Sequence, residues 1–405
     1  MPIWLRRTLG AILIPVSVLV APAAAVAAAL LVASVTAAVA VFVAAGAVVL
    51  LAGCVGLGRC CGRLLGVRWG ARSGAAVAIA WTVLAAFTVF QPGPHPGAGP
   101  TPDGVQFWQL PTGSRIAYVH SPGGSRTPVL FLHGGPGTPG EGLPEAAASL
   151  SAAGHPVYAY DQLGAGRSAR LADVTGYTVA RHVADLEAIR VVLGADRIVL
   201  IGQSWGASLA AQYLAAHPQR VAAVVFTSPG PIWPGAHPDG GIGDPWQRMT
   251  PAQRAARDAL VARPRVLAQA LLQQVNPDAA HAFVGDDEAD ELMHRIAALG
   301  KDGTGCPDSP PAAVHGNHQG FYVNQLTVDD FARVADPRPA LRDVRVPALI
   351  VRGDCDFVPA ATAEEYRRTL PGAILVNVPG AGHAVARNQP DRYRDLVTGF
   401  LEETP

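Results

Sequence analysis

"VLIGQSWGASLAAQYLAAHP", Val199 to Pro218, joins an apolar run to a helix-period segment through a serine and a tryptophan set between two glycines. As backbone alone, this is a strand-to-helix turn that needs glycine. As chemistry, Gly202-Gln203-Ser204-Trp205-Gly206 is a G-x-S-x-G nucleophile elbow, in which the turn is too sharp for nearby side chains and the serine is left exposed at the strand's carboxyl end. A serine hydroxyl is a poor nucleophile until a base takes its proton. The elbow reading therefore requires a histidine and an orienting acid elsewhere in the chain.

Both residue types follow in suitable places. "VPGAGHAV" puts His383 in a glycine-bounded loop after the apolar run Ala373 to Val378, and "VRGDCDFVP" puts Asp354 and Asp356 after the run Ala348 to Val351. Taken singly, His383 is a loop histidine and the aspartates are turn formers. Together they place three triad roles at three strand ends. "FLHGGPG" after Val129 to Leu132 supplies a glycine-rich loop whose backbone N–H groups can approach a developing oxyanion. The expected donors are the N–H groups of Gly135 and Trp205.

The rest of the chain sets the frame. "VQFWQL" and "RIAYVH", separated by "PTGS", predict an antiparallel hairpin. Beyond it, the runs "VLFL", "VYAY", "IVLI", "VAAVVF", "ALIV" and "AILVNV" alternate with helix-period segments such as "TVARHVADLEAIRVVLG" and "PDRYRDLVTGFLEE". Continuous apolar strands between helices predict a mostly parallel sheet covered on both faces, with ligands at the carboxyl ends of its strands. The stretch from about Pro231 to Leu341, rich in helix formers and carrying "GDDEADEL", interrupts this alternation and reads as an inserted helical cap.

These motifs resemble the proline iminopeptidase-like branch of the α/β-hydrolases. The likeness lies in His133-Gly134-Gly135-Pro136-Gly137, in "YDQLGAGRS" (Tyr160 to Ser168), in the tryptophan after the nucleophile, in Gly353-Asp354-Cys355-Asp356 and in Gly380-Ala381-Gly382-His383. It covers Val105 to the C-terminus. The resemblance implies an α/β-hydrolase fold with a helical cap, the chain order Ser, Asp, His, and Asp356 as triad acid with Asp354 as runner-up. Asp161, Gly164 and Gly166 would shape their loop. Two departures bear on specificity: Gln203 stands where the family usually has glycine, and Leu163 where it usually has arginine. In such peptidases, acidic cap residues bind the substrate's free α-amino group, which here points to Asp286, Asp287, Glu288, Asp290 and Glu291, with a solvated helix face as the alternative.

The implied activity is a serine hydrolase acting as an aminopeptidase on short peptides. An esterase or lipase using the same triad on small esters or amides is the rival, and a non-catalytic binding module is a further alternative. No metal or organic cofactor is expected, because water resolves an acyl-enzyme.

The N-terminus carries a second message. Of the 405 residues, 50% are hydrophobic and 15% charged, and no charge occurs from Leu9 to Leu57. That run is roughly twice the ~20 residues a helix needs to cross a bilayer. It predicts two spans, with Ala75 to Phe90 a third. Arg6 and Arg7 before the first span, and Arg59, Arg63, Arg68 and Arg72 between the second and third, belong on the cytoplasmic side. The catalytic region would then be extracytoplasmic. The expected division is 1–90 membrane segment, 91–104 Pro/Gly-rich stalk, 105–230 with 342–405 hydrolase core, and 231–341 cap. Zero formal net charge carries no footprint for nucleic acid. Cys306 and Cys355, facing an oxidising exterior, either pair or remain two free thiols.

Overall fold

The computed structural model describes residues 2–95, 101–307, 309–310 and 315–404. The middle of the expected stalk, 96–100, lies outside them. The chain falls into two compact units. One comprises Met1–Pro94 with Asp258–Glu288, and the other His95–Arg257 with Ala289–Pro405.

The first unit holds three apolar helices, α1 (Ile3–Ala33), α2 (Val39–Leu65) and α3 (Gly70–Thr88). α2 and α3 are long and apolar enough to cross a membrane. α1 is bent by 45° between Val16 and Val18 and counts as a third span if its two halves are one. Pro15 and Pro22, inside α1, each remove a helix hydrogen bond and favour bending. Small residues let α2 and α3 approach closely. A side chain at Gly58 would meet the Gly70 carbonyl, and one at Gly74 would meet that of Cys54. This is the small-residue packing by which apolar helices associate without help from water. The Trp81 indole donates to the Val18 carbonyl (3.1 Å), tying α3 to α1.

The second unit is built on one eight-stranded sheet: β1 (Gln106–Gln109), β2 (Arg115–Ser121), β3 (Val129–Leu132), β4 (Val157–Tyr160), β5 (Ile198–Gln203), β6 (Val221–Thr227), β7 (Ala348–Gly353) and β8 (Ile374–Val378). The order is β1-β2-β4-β3-β5-β6-β7-β8. β1 and β2 form the expected antiparallel hairpin, β2 pairs antiparallel with β4, and all further pairs are parallel. β3 and β6 are buried along their whole length, as runs without polar alternation require when both faces are covered.

The remaining helices are α4 (Ala147–Ala152), α5 (Val179–Val192), α6 (Trp205–Ala216), α7 (Pro251–Val261), α8 (Pro264–Val275), α9 (Pro277–Phe283), α10 (Asp286–Gly300), α11 (Phe321–Phe331), α12 (Arg338–Leu341), α13 (Ala360–Thr369), α14 (Val385–Asn388) and α15 (Pro390–Glu402). A core on one face of the sheet joins Val129, Val199, Val225 and Leu349 to Leu150 of α4 and to Tyr393, Val397 and Leu401 of α15.

Candidate active site

Ser204 stands between β5 and α6 with φ 55° and ψ −119°, a backbone that side-chain-bearing residues rarely adopt. Such strain persists only where its surroundings over-determine it, and here they do. Ser204 donates its N–H to the Thr227 carbonyl (3.0 Å), and its own carbonyl accepts from Gly230 and Ala207 (both 3.0 Å). The flanking glycines are needed for room. A Cβ at Gly202 would strike the Gly206 carbonyl, and one at Gly206 would strike that of Leu132. Trp205 opens α6, so its N–H lies in the first turn of a helix, where backbone donors lack intrahelical acceptors. Among the described residues, neither that N–H nor the Gly135 N–H donates to another group.

Two strands along the sheet, Asp356 follows β7, and His383 follows β8. The loops are held together by backbone: Cys355 N–H donates to the Ala381 carbonyl (3.0 Å), and Gly353 lies too close to Ala381 for a side chain. This contact brings His383 Nδ1 to 2.8 Å from Asp356 Oδ1. The imidazole also packs 4.2 Å from the Phe357 ring. Burial alone would raise the Asp356 carboxyl. The His383 hydrogen bond and charge and the Val358 N–H outweigh burial, and the group titrates below its ordinary range. Asp354, by contrast, is exposed, and its carboxylate accepts from the Gly380 N–H (3.1 Å).

Ser228 carries no motif of its own in the sequence. It is fully buried, with φ 42°, and donates its N–H to the Val351 carbonyl (2.7 Å). The only trace of it in the sequence is the "SPG" that ends the β6 run.

Behind the elbow, a buried polar chain joins three loops. The Trp205 indole donates to Gln162 Oε1 (2.9 Å), Gln162 Nε2 donates to the His133 carbonyl (2.9 Å), and the Gln162 N–H donates to His133 Nε2 (2.9 Å). His133 therefore carries its proton on Nδ1, facing the Gly134 carbonyl (2.9 Å). Burial holds this imidazole down to about 4, against the Gly134 hydrogen bond, so it is neutral near pH 7. Asp161 shapes its loop by accepting from the Arg167 N–H (2.9 Å) and from Asn317 Nδ2 (3.0 Å). Burial pushes its carboxyl up to about 6. Gly166 packs against that carboxylate, and Gly164 against Tyr177 and Val323. A cleft of about 410 Å³ opens beside this loop, lined among others by His133, Glu141, Asp161, Arg167 and Gln203, but not by Ser204, Asp356 or His383.

The expected cap carboxylates differ in their partners. Asp286 pairs with His281 (2.9 Å) and Glu288 with Arg265 (2.7 Å). Asp290 is buried, bound to Arg170 (2.8 Å) and to the Phe321 N–H (2.7 Å). Asp287 is exposed and Glu291 half-buried. Cys306 and Cys355 form a disulfide, their Cα atoms 5.3 Å apart, which ties the loop after α10 to the loop carrying Asp354 and Asp356.

The family described as "alpha/beta hydrolase fold" matches residues 127–386. A proline iminopeptidase of Heyndrickxia coagulans is 40% identical over 304 residues, spanning 72% of this chain and 96% of that protein. The chain belongs to the α/β-hydrolase family, in its proline iminopeptidase-like branch. A second proline iminopeptidase, from Xylella fastidiosa, is 30% identical over 297 residues, covering 68% of this chain and 89% of that one. The crystal structure of the esterase RhEst1 from Rhodococcus sp. ECU1013 shares the fold, with a TM-score of 0.51 at 20% identity, covering 75% of this chain and all of the other. As a member of this branch, the chain is an α/β-hydrolase-fold serine hydrolase.

Proposed function

We propose that the protein is a membrane-anchored aminopeptidase that releases N-terminal residues from short peptides, with Ser204, His383 and Asp356 as its triad. The observation that carries this is the 2.8 Å pair of His383 Nδ1 and Asp356 Oδ1, two strands from a serine held in a strained elbow. Asp356 keeps the imidazole proton on Nδ1 and leaves Nε2 free as base. Ser204 Oγ attacks the substrate carbonyl while Nε2 takes its proton. The tetrahedral oxyanion is received by the N–H groups of Gly135 and Trp205. The imidazolium then protonates the leaving amine, and water, deprotonated by the same Nε2, releases the acyl group.

The anchoring reading is supported by charge and packing. Arg6, near the start of α1, donates to the Arg63 carbonyl near the end of α2 (3.0 Å), so the basic residues gather at one end of the helices. With that end cytoplasmic, three spans carry the catalytic region outside.

One observation favours ester substrates instead: two of the five expected ammonium-binding carboxylates already have arginine partners, and Asp286 is hydrogen-bonded to His281. Hydrolysis of aminoacyl-arylamides, their N-acetylated forms and short acyl esters by the purified full chain separates the two. Preference for the free-amine arylamide is expected. Equal turnover of free and acetylated forms, with faster ester cleavage, would replace the peptidase reading.

A further inference from the structure

α8 presents an apolar stripe outward, where a helix built for water is polar, while its inward face is mixed and buries Leu272 beside Gln269. Leu267, Leu271 and Val275, spaced four apart on one stripe, are 51%, 47% and 40% exposed. Ala270 and Gln274 complete that exposed stripe. On the other side, Gln269 is buried, and Arg265 is paired with Glu288.

What covers the apolar stripe follows from where α8 is held. At its N-terminal end, Arg265 Nη1 donates to the Val89 carbonyl, just past the end of α3 (3.2 Å). At its C-terminal end, Asn276 Nδ2 donates to the Ala33 carbonyl, the last residue of α1 (2.8 Å). Phe283 of α9 meets Phe90 edge-on (5.9 Å), and Glu288 accepts from the Gly93 N–H (2.7 Å). A 12-residue helix about 18 Å long is thus pinned at both ends to the termini of α1 and α3. Those termini lie at the opposite end of the helices from Arg6 and Arg63.

We propose that α8 is an interfacial helix. It lies along the membrane surface at the non-basic end of the spans, with Leu267, Leu271 and Val275 in the boundary between headgroups and acyl chains of the outer leaflet. The occupant of the stripe is lipid, because the helix that carries it is held at both ends to the termini of α1 and α3, two long apolar helices. Amphipathic helices of this kind bury their apolar face about 5–10 Å into that boundary. The proposal rests on the reading of α1 to α3 as spans.

The test uses the full chain in vesicles of phosphatidylcholine and phosphatidylglycerol. Cys54, Cys60 and Cys61 are replaced by serine, and the Cys306–Cys355 bridge is kept. Single cysteines are placed by Leu267→Cys, Leu271→Cys and Val275→Cys, with Val48→Cys on α2 as the span reference and Arg368→Cys on α13 as the water reference. Each is labelled with a nitroxide, and its accessibility to oxygen and to a water-soluble nickel chelate is measured. Labels at 267, 271 and 275 should collide with oxygen more and with nickel several-fold less than the label at 368. If they match the label at 368 while the label at 48 is lipid-immersed, the interfacial helix is overturned and the spans stand. If the label at 48 is also open to nickel, the span reading falls, and the proposal falls with it.

Discussion

Asp356 offers Oδ1 to His383 Nδ1 at 2.8 Å from a side chain only 1% exposed, whereas Asp354, two residues earlier, turns its carboxylate to the Gly380 N–H. Two acids in one loop are thereby assigned different work, and only one is placed to hold an imidazole tautomer. Asp356→Asn should lower kcat about 10⁴-fold, as loss of a triad acid does. Asp354→Asn should cost less than about tenfold, because no triad tautomer depends on it. Steady-state kinetics on both purified variants checks the assignment, and a reversed ranking would transfer the role to Asp354.

Trp205 contributes to the elbow through its indole as well as its backbone. Trp205→Phe keeps the ring against Phe331 (5.2 Å, edge-on) but strips Gln162 Oε1 of its donor in a buried site. An unsatisfied buried acceptor costs about 1–3 kcal/mol. The denaturation midpoint should fall accordingly, while fluorophosphonate labelling of Ser204 persists, since the backbone N–H at position 205 is unchanged.

Acid should weaken the fold through two buried imidazoles. Burial, with the charges of His133 and Arg181, lowers His182 to about 3, and burial lowers His133 to about 4. An unfolded chain binds these protons near pH 6.5. Above that pH neither state is protonated. As pH falls from about 6.5 towards 4, the unfolded state takes up protons the folded state refuses, and stability declines. Asp161, raised to about 6, and Asp185, also raised by burial, work in the opposite direction, so the imidazole contribution is read from a substitution. His182→Gln should flatten the decline by up to about 1.4 kcal/mol per pH unit. Denaturation midpoints of wild type and variant at pH 7, 6, 5 and 4.5 measure it, and parallel curves would show that His182 is not held neutral.

Local features of the fold were readable because they depend on neighbours in sequence. The hairpin β1–β2 follows from two alternating runs around "PTGS", and the parallel strands from apolar runs punctuated by helices. The elbow follows from glycines that a tight strand-to-helix turn requires. What stayed hidden depends on partners far along the chain. Asp290 is claimed by Arg170, 120 residues away, a partner that nothing in the acidic run itself points to. Ser228 is held in its buried place only because β6 and β7 are neighbours, where its N–H reaches the Val351 carbonyl. Nothing near Asn276 in sequence announces that its amide reaches Ala33, 243 residues away, or that the segment Asp258–Glu288 groups with the N-terminal helices. Cys306 and Cys355 could be named as partners from their number and setting, but their pairing follows from the return of the chain after α10 to the loop beyond β7.

The central claim is that Ser204 is the nucleophile, and turnover by purified full-length Ser204→Ala tests it most directly. With circular dichroism and denaturation midpoint unchanged, kcat on the best substrate should fall by about 10⁴-fold or more, leaving only what binding and the oxyanion donors supply. Near-normal turnover by that variant would contradict the assignment of the site.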